Sequence, residues 1–437
     1  MTNPVHPDHP SASAYPGPED IERVVFDNGL TVLVRENHAA PLTVLDGYVP
    51  AGAIHDPADR AGLSAFTASM LTRGSVDYDF DRFNETIESV GASLGMASDT
   101  HITSFGLTCL SEDFARLTAV LADALRRPTF PAEQMERLRR QKLVSLQERE
   151  QDTSRMANLR YHEAIYGADH PYGRAISGYP KSVDAITRTE LIDFHARRYT
   201  PNGAIIVVSG DVETERVLAL LERTFGDWRG PVAEQDVAPV NFPTATTRID
   251  VPIPGKFQAD VMLGAPAVPR HHPDYDAVRV ANTVLGVFGL MGRLGEVVRE
   301  EQGLAYYAYS IQEAEPAAGV WTGIAGVNPA NVDQAIASIL HEFERLGAEP
   351  VPEEELADSQ AYLTGVLPLA LETNAGVAST LLNMEWYGLG LDYLQRYRSL
   401  IESVTPADVQ RVAQEYLGRD NKVIVVAGSE GTVTAQY

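Results

Sequence analysis

A single cysteine, Cys109, occurs among the 437 residues, so the chain cannot form an internal disulfide. This fits a reducing environment, and we expect a cytoplasmic protein. There is no run of about 18 apolar residues of the kind that crosses a membrane. The first residues are rich in proline and small polar residues and have neither a basic start nor an apolar segment. We therefore predict no signal peptide, no membrane association and a disordered leader over residues 1–19.

Basic residues are also scarce, with 35 Lys and Arg against 60 Asp and Glu, which gives a formal net charge of −25. Proteins that bind nucleic acid concentrate Lys and Arg against the phosphate backbone, so this charge argues against a nucleic-acid partner. The hydrophobic share of 44% is that of a globular protein with a substantial core. The length allows two or more domains.

The two halves of the chain share a pattern. Tyr199 and Tyr416 each precede a polar turn, a β-branched strand and a glycine, and the spacing from tyrosine to glycine is 11 and 12 residues. Residues 229–246 contain three prolines and no clear periodicity, which is typical of a linker. We therefore predict homologous domains over residues 20–228 and 247–437, with 229–246 between them.

Both halves mix strand and helix patterns. Residues 23–35 read as a hairpin turning at Asp27-Asn28-Gly29. Further strands are predicted at 44–49, 93–98 and 102–110, and helices at 60–73, 81–90, 112–126, 132–150 and 154–166. The predicted fold class is α+β, in which each domain has a mostly antiparallel sheet covered by helices.

Residues 61–75 read AGLSAFTASMLTRGS. This segment resembles the signature helix of the pitrilysin/insulinase, or inverzincin, zinc peptidases, G-L-x-H-F-x-E-H-M-x-F-x-G-[ST]. The matching residues are Gly62, Leu63, Phe66, Met70, Leu71, Gly74 and Ser75. The H-x-x-E-H positions, however, are occupied by Ala65, Ala68 and Ser69. The frame of the motif is present, but its metal ligands and its general base are absent.

The chemistry of that motif depends on helix geometry. Residues four apart lie on one helix face, so two imidazoles can share a zinc ion while the Glu takes a proton from the bound water. Alanine offers no lone pair and a serine hydroxyl is a poor zinc ligand. The family's remaining ligand, a Glu in a V-x-L-E-E-like segment, corresponds to Glu148, which cannot hold zinc alone and is interpreted as a solvated helix residue. None of the eleven His residues forms an i, i+4 pair, so we predict no metal and no cofactor in this chain.

The second half retains more of the family pattern. Residues 282–310 resemble the family's later signature, N-x-I-L-G-G-x-x-S-S-R-L-x-x-x-[IL]-R-E-x-x-G-L-A-Y. The matching residues are Asn282, Leu285, Gly286, Arg293, Leu294, Arg299, Glu300, Gly303, Leu304, Ala305 and Tyr306. The resemblance implies that Arg299 and Tyr306 hold the substrate backbone and the developing oxyanion across from a zinc-bearing half. The alternative is an exposed helix Arg and a Tyr packed in the next strand.

Residues 91–106 resemble the family's G-G-x-x-N-A-x-T-S strand pair. The resemblance implies that the first strand accepts an extended peptide through backbone hydrogen bonds, which makes it the candidate substrate strand. Its residues are Leu94, Gly95, Met96, Ala97 and Ser98. Gly95 stands where the family has Asn, so this strand lacks the side-chain amide of that position.

The resemblance extends over about residues 20–430 and implies a pitrilysin/mitochondrial-processing-peptidase-like fold. We predict a non-zinc subunit that is not catalytic alone. It would pair as a heterodimer with a zinc-bearing pitrilysin-family chain to hydrolyse peptides, with zinc expected in that partner. One alternative is a non-catalytic scaffold like the core subunits of respiratory complexes that share this fold, and another is a peptide-binding homodimer.

Overall fold

The structure, a computed structural model, describes residues 15–232 and 236–429. Residues 1–14 of the predicted leader lie outside this part. Tyr15 packs against an apolar cluster that contains Leu33 and Val377. No single helix in the described ranges is long and apolar enough to cross a membrane, and one pair, Tyr275–Gly286 with Phe288–Glu301, meets the length and composition criteria only across a 91° bend.

The first half forms a six-stranded sheet in the order β1-β2-β6-β3-β5-β4. Its strands are β1 Glu22–Val25, β2 Thr31–Glu36, β3 Leu42–Val49, β4 Ser93–Ser98, β5 Thr103–Leu110 and β6 Ile205–Gly210. All neighbours are antiparallel except β2 and β6. The helices are α1 Leu63–Met70, α2 Phe80–Glu88, α3 Phe114–Arg126, α4 Ala132–Glu150, α5 Thr153–Tyr166, α6 Pro180–Ala185, α7 Arg188–Arg198 and α8 Thr214–Phe225.

The second half forms a five-stranded sheet in the order β7-β11-β8-β10-β9. Its strands are β7 Thr247–Pro252, β8 Ala259–Ala267, β9 Ala305–Ala314, β10 Gly319–Val327 and β11 Val423–Gly428. The helices are α9 Tyr275–Gly286, α10 Phe288–Leu294, α11 Val332–Ala348, α12 Glu353–Ala370, α13 Asn374–Trp386, α14 Tyr393–Glu402 and α15 Pro406–Val412, with π-helical turns at Gly295–Glu301 and Ala413–Leu417. Only β7 and β11 are parallel.

The two sheets repeat one topology. Without β1, the first sheet has a parallel pair followed by three antiparallel strands, and the second sheet has the same arrangement. The strands β4 and β9 occupy equivalent positions at the open edge, and α1 and α9 each follow the equivalent strand β3 or β8. The predicted α+β class with two homologous, mostly antiparallel halves is confirmed.

The halves exchange one helix each. Helix α5 belongs to the first half in sequence but packs against β8 and β11 of the second sheet, while α13 of the second half packs against β3 and β6. Tyr161 on α5 is fully buried, and its hydroxyl accepts a hydrogen bond of 2.8 Å from Thr322 on β10. Each sheet therefore has one face covered by a helix from the other half, and the two halves share their cores.

Candidate active site: a helix without zinc ligands

Helix α1 is anchored by a buried carboxylate. Asp56 accepts hydrogen bonds from the backbone N–H of Gly62 at 2.9 Å and of Ser64 at 2.8 Å, and from the Ser64 hydroxyl at 3.2 Å. Burial raises the pKa of Asp56 to about 7, while the bonds from Ser64 and Gly62 work against that rise. Gly62 can enter the helix at φ 98° because it has no Cβ. The segment thus folds as the signature predicts, with a fixed start.

The face of α1 that carries zinc ligands in active family members has no metal-binding group here. Ala65 and Ser69 are partly exposed on this face, whereas Ala68 is 1% exposed and packs in the core. The Ser69 hydroxyl donates to the Ala65 carbonyl at 2.7 Å, so its hydrogen atom is used within the helix itself. Across the described ranges, no group of three or more His, Cys, Asp or Glu side chains could hold a metal ion.

A lysine lies beside this face. Lys142 on α4 donates from Nζ to the Ala65 carbonyl at 3.2 Å. Burial lowers the pKa of Lys142 to about 8, and the nearby Arg73 guanidinium adds to the effect. Glu148, the position predicted from the family's third ligand, is exposed on α4. The group that approaches the helix is therefore an ammonium, which repels a divalent cation.

A cavity of about 740 Å³ opens beside Ala65. Its lining includes Lys142 and Arg149, together with Glu313 at the end of β9 and Glu315 just after it. Burial and, to a smaller extent, the neighbouring carboxylates of Asp99 and Glu313 raise the pKa of Glu315 to about 7. Among the described residues, its lining contains a single histidine, His162, and no group of His, Cys, Asp or Glu side chains that could hold a metal ion.

The candidate substrate strand forms an edge of its sheet. Residues Leu94 to Ser98 lie in β4, which pairs with β5 alone, and Gly95 lies opposite Gly106. Leu94 and Met96 pack against the first core, while Gly95 and Ala97 face outward. The outer backbone edge of β4 has the geometry needed to add an extended peptide.

Arg299 and Tyr306 belong to the second half of the chain and do not line the cavity beside Ala65. Arg299 lies on the π-helical turn, has a 37% exposed side chain and pairs with Glu300 at 3.2 Å. Tyr306, on the edge strand β9, is 63% exposed. Both side chains are accessible to solvent.

The sequence interpretation missed two features of the region. Lys142 gave no signal, because an isolated Lys in an α4 pattern reads as a surface residue. The segment before the π-helical turn is also unexpected, since Gly289, Leu290, Met291 and Gly292 leave helical geometry and Met291 adopts φ 78°. The run of apolar and glycine residues there gives no periodicity from which such a break can be predicted.

The chain belongs to peptidase family M16. Residues 31–178 match the family described as insulinase (peptidase family M16), and residues 185–363 match the description "Peptidase M16 inactive domain". The H-x-x-E-H positions of the family are occupied in this chain by Ala65, Ala68 and Ser69. The similarity to the pitrilysin/insulinase peptidases noted in the sequence is thus confirmed.

Individual relatives agree with this assignment. A Mycobacterium tuberculosis protein described as an uncharacterized zinc protease is 29% identical over 427 residues, covering 94% of this chain and 93% of the relative. The non-peptidase homolog YmxG of Helicobacter pylori is 24% identical over 381 residues, covering 86% and 87%. A crystal structure described as a peptidase M16 inactive domain from Pseudomonas fluorescens superposes with a TM-score of 0.88 at 26% identity, covering 95% of this chain and 99% of that one.

Proposed function

We propose that this chain is the non-zinc subunit of a two-chain M16 peptidase, in which Arg299 and Tyr306 contact a peptide bound at the zinc centre of a partner chain. The observation that carries the proposal is their exposure. Tyr306 lies on an open sheet edge with 63% of its surface accessible, and the Arg299 side chain is 37% exposed. A second chain can therefore contact both residues.

The two side chains suit a role in stabilising negative charge. A guanidinium and a phenol both donate hydrogen bonds to a carbonyl oxygen, and these bonds strengthen as the oxygen becomes an oxyanion during attack by water. The metal and the base would come from the partner, which has to retain H-x-x-E-H. In this arrangement each chain supplies half of one active site.

The test uses the purified chain mixed with a zinc-bearing M16 chain from the same genome and a fluorogenic peptide. Arg299→Ala or Tyr306→Phe should lower kcat/KM of the pair by about 10²-fold, as expected for the loss of an oxyanion donor. Matched controls are Arg116→Ala, an arginine with a 49% exposed side chain on α3, and Tyr78→Phe in the first half. These variants should leave the activity of the pair unchanged.

Native mass spectrometry of the mixture separates the outcomes. A complex between the two chains with wild-type activity in both Arg299→Ala and Tyr306→Phe would refute the catalytic role while keeping the pairing. The open edge of β4 favours a second candidate, a protein that binds extended peptides without cleaving them. In that case a homodimer would bind peptide, and no added chain would produce hydrolysis.

A further inference from the structure

A second cavity lies in the other half, at the place that corresponds to the zinc helix. It has a volume of about 560 Å³, and residues of α9, α12, α13 and α14 line it. Helix α9 follows β8 as α1 follows β3, so this cavity is the topological counterpart of the one beside Ala65. Its volume falls in the range of small-molecule pockets. None of the proposed peptidase residues contributes to its lining.

Two arginines line this cavity. The Arg270 guanidinium lies 3.9 Å from the ring centre of Tyr275 and 5.3 Å from that of Tyr387. The Arg279 guanidinium lies 5.2 Å from the ring centre of Tyr397. The aromatic faces orient the two cations but give them no carboxylate or carbonyl acceptor. Positive charge is thus concentrated in a cavity walled by phenol rings.

The carboxylates near these arginines do not neutralise them. Asp274 is held by Arg411 at 2.7 Å, and Asp392 by Arg396 at 2.7 Å. Neither aspartate is therefore available as a counterion inside the cavity.

Two further acids lie near the arginines. The Glu315 backbone carbonyl accepts from the Arg270 backbone N–H at 3.1 Å, but its carboxylate lies 3.5 Å from His101 and the residue lines the first cavity. Asp276 is the acid that acts on both arginines. It attracts Arg270 and Arg279 electrostatically. In the described part of the chain, however, no carboxylate oxygen lies within 4.0 Å of either guanidinium. Two cations against one carboxylate leave an excess of one positive charge, in a protein whose overall charge is −25.

The polar lining also favours a ligand that accepts hydrogen bonds. The Asn282 side-chain oxygen already accepts from the Ser310 hydroxyl at 2.7 Å and from the Trp321 indole N–H at 2.9 Å. The amide N–H groups of Asn282, like the guanidinium N–H groups, can therefore donate hydrogen bonds to a ligand. A carboxylate is the acceptor that forms the strongest bonds with these donors, because its bonds to Arg are charge-assisted and one Arg can bind both of its oxygens.

We propose that this pocket binds a small organic monoanion, a carboxylate carried on an aromatic or apolar body, with Arg270 and Arg279 as its counterions. One negative charge matches the excess positive charge, and the tyrosine rings suit a flat or apolar body. The site is separate from the peptidase role proposed above, so refuting either proposal would leave the other unaffected.

The experiment is isothermal titration calorimetry of the full chain with phenylacetate at low ionic strength, with phenylacetamide as the neutral isostere. The expected result is saturable binding of the acid and binding of the amide weaker by about tenfold or more, because the amide loses the charge-assisted bonds. Arg279→Gln should weaken phenylacetate binding by a similar factor. Arg398→Gln is the matched control, because Arg398 lies on α14 outside the cavity lining and is paired with Glu402, and this variant should bind as the wild type does.

Three results would overturn the proposal: no binding of phenylacetate to the wild type, equal binding of the acid and the amide, or an Arg279→Gln variant that binds as the wild type does. A thermal unfolding scan shows whether each variant is folded. Should Arg279→Gln fail to fold, Arg270→Gln makes the same test on the second counterion, and the comparison of acid with amide on the wild type needs no variant.

Discussion

Lys142 determines the character of the helix face where zinc binds in active family members. Its ammonium lies next to α1 through the bond to the Ala65 carbonyl, and its Nζ is 5.7 Å from the centre of the Phe66 ring. The loss of the metal-binding chemistry could be predicted from residues 65, 68 and 69 alone. The ammonium could not, because Lys142 and Ala65 are 77 residues apart and meet only where α4 crosses α1.

Replacing Lys142 with Met should stabilise the protein at pH 7 by about 1–2 kcal/mol, since the cost of burying an ammonium exceeds one hydrogen bond to a carbonyl. Methionine keeps the packing on Phe66. The measurement is chemical denaturation of the wild type and Lys142→Met at the same pH. A destabilised variant would show that the ammonium is a net stabilising group.

The same lysine predicts a pH dependence. Its folded pKa of about 8 is below the ordinary 10.5, so between these values the unfolded chain binds more protons than the folded one. The contribution of Lys142 to stability therefore rises with pH through this window. Unfolding midpoints measured from pH 7 to 10 should rise less steeply in Lys142→Met than in the wild type, and parallel curves would contradict the shift.

At the scale of single elements, the sequence predicts regular segments well and irregular ones poorly. The strand at 93–98 and the helix at 132–150 are confirmed, because alternation and helical patterns are local properties. The π-helical turn Gly295–Glu301 that carries Arg299 depends instead on the break at 289–292, for which the sequence gives no local signal. The start of α1 is likewise set by a residue outside the helix, Asp56.

Asp56→Ala should destabilise the protein by about 2–4 kcal/mol, because the backbone N–H groups of Gly62 and Ser64 lose their acceptor in a buried site. Asp59→Ala is the matched control, an aspartate three residues on with a 76% exposed side chain, and should change stability little. Thermal unfolding of both variants gives the comparison. Equal effects would mean that the Asp56 bonds do not hold α1.

For the whole molecule, the sequence shows the duplication but not the exchange of helices. The repeated tyrosine-to-glycine pattern marks two related halves, and the two sheets repeat one topology. That α5 covers the second sheet and α13 the first could not be predicted, because each helix has an apolar face that would suit either sheet. Tyr161, fully buried against Thr322, is part of the core of the opposite half.

Separation of the halves should therefore prevent folding. Residues 15–228 expressed alone lack α13 over β3 and β6, and α5 lacks its sheet, so we expect an aggregated or unfolded fragment. Co-expression with residues 229–429 should restore a soluble, folded pair. A first fragment that folds alone, with a cooperative unfolding transition, would contradict the importance of the exchange.

The most direct test of the central claim, that this chain has no zinc site of its own, is elemental analysis of the purified chain after dialysis against zinc, alongside a peptide hydrolysis assay. The account predicts substoichiometric zinc and no chelator-sensitive cleavage by the chain alone. One tightly bound zinc ion per chain, with peptide cleavage that a chelator abolishes, would contradict it.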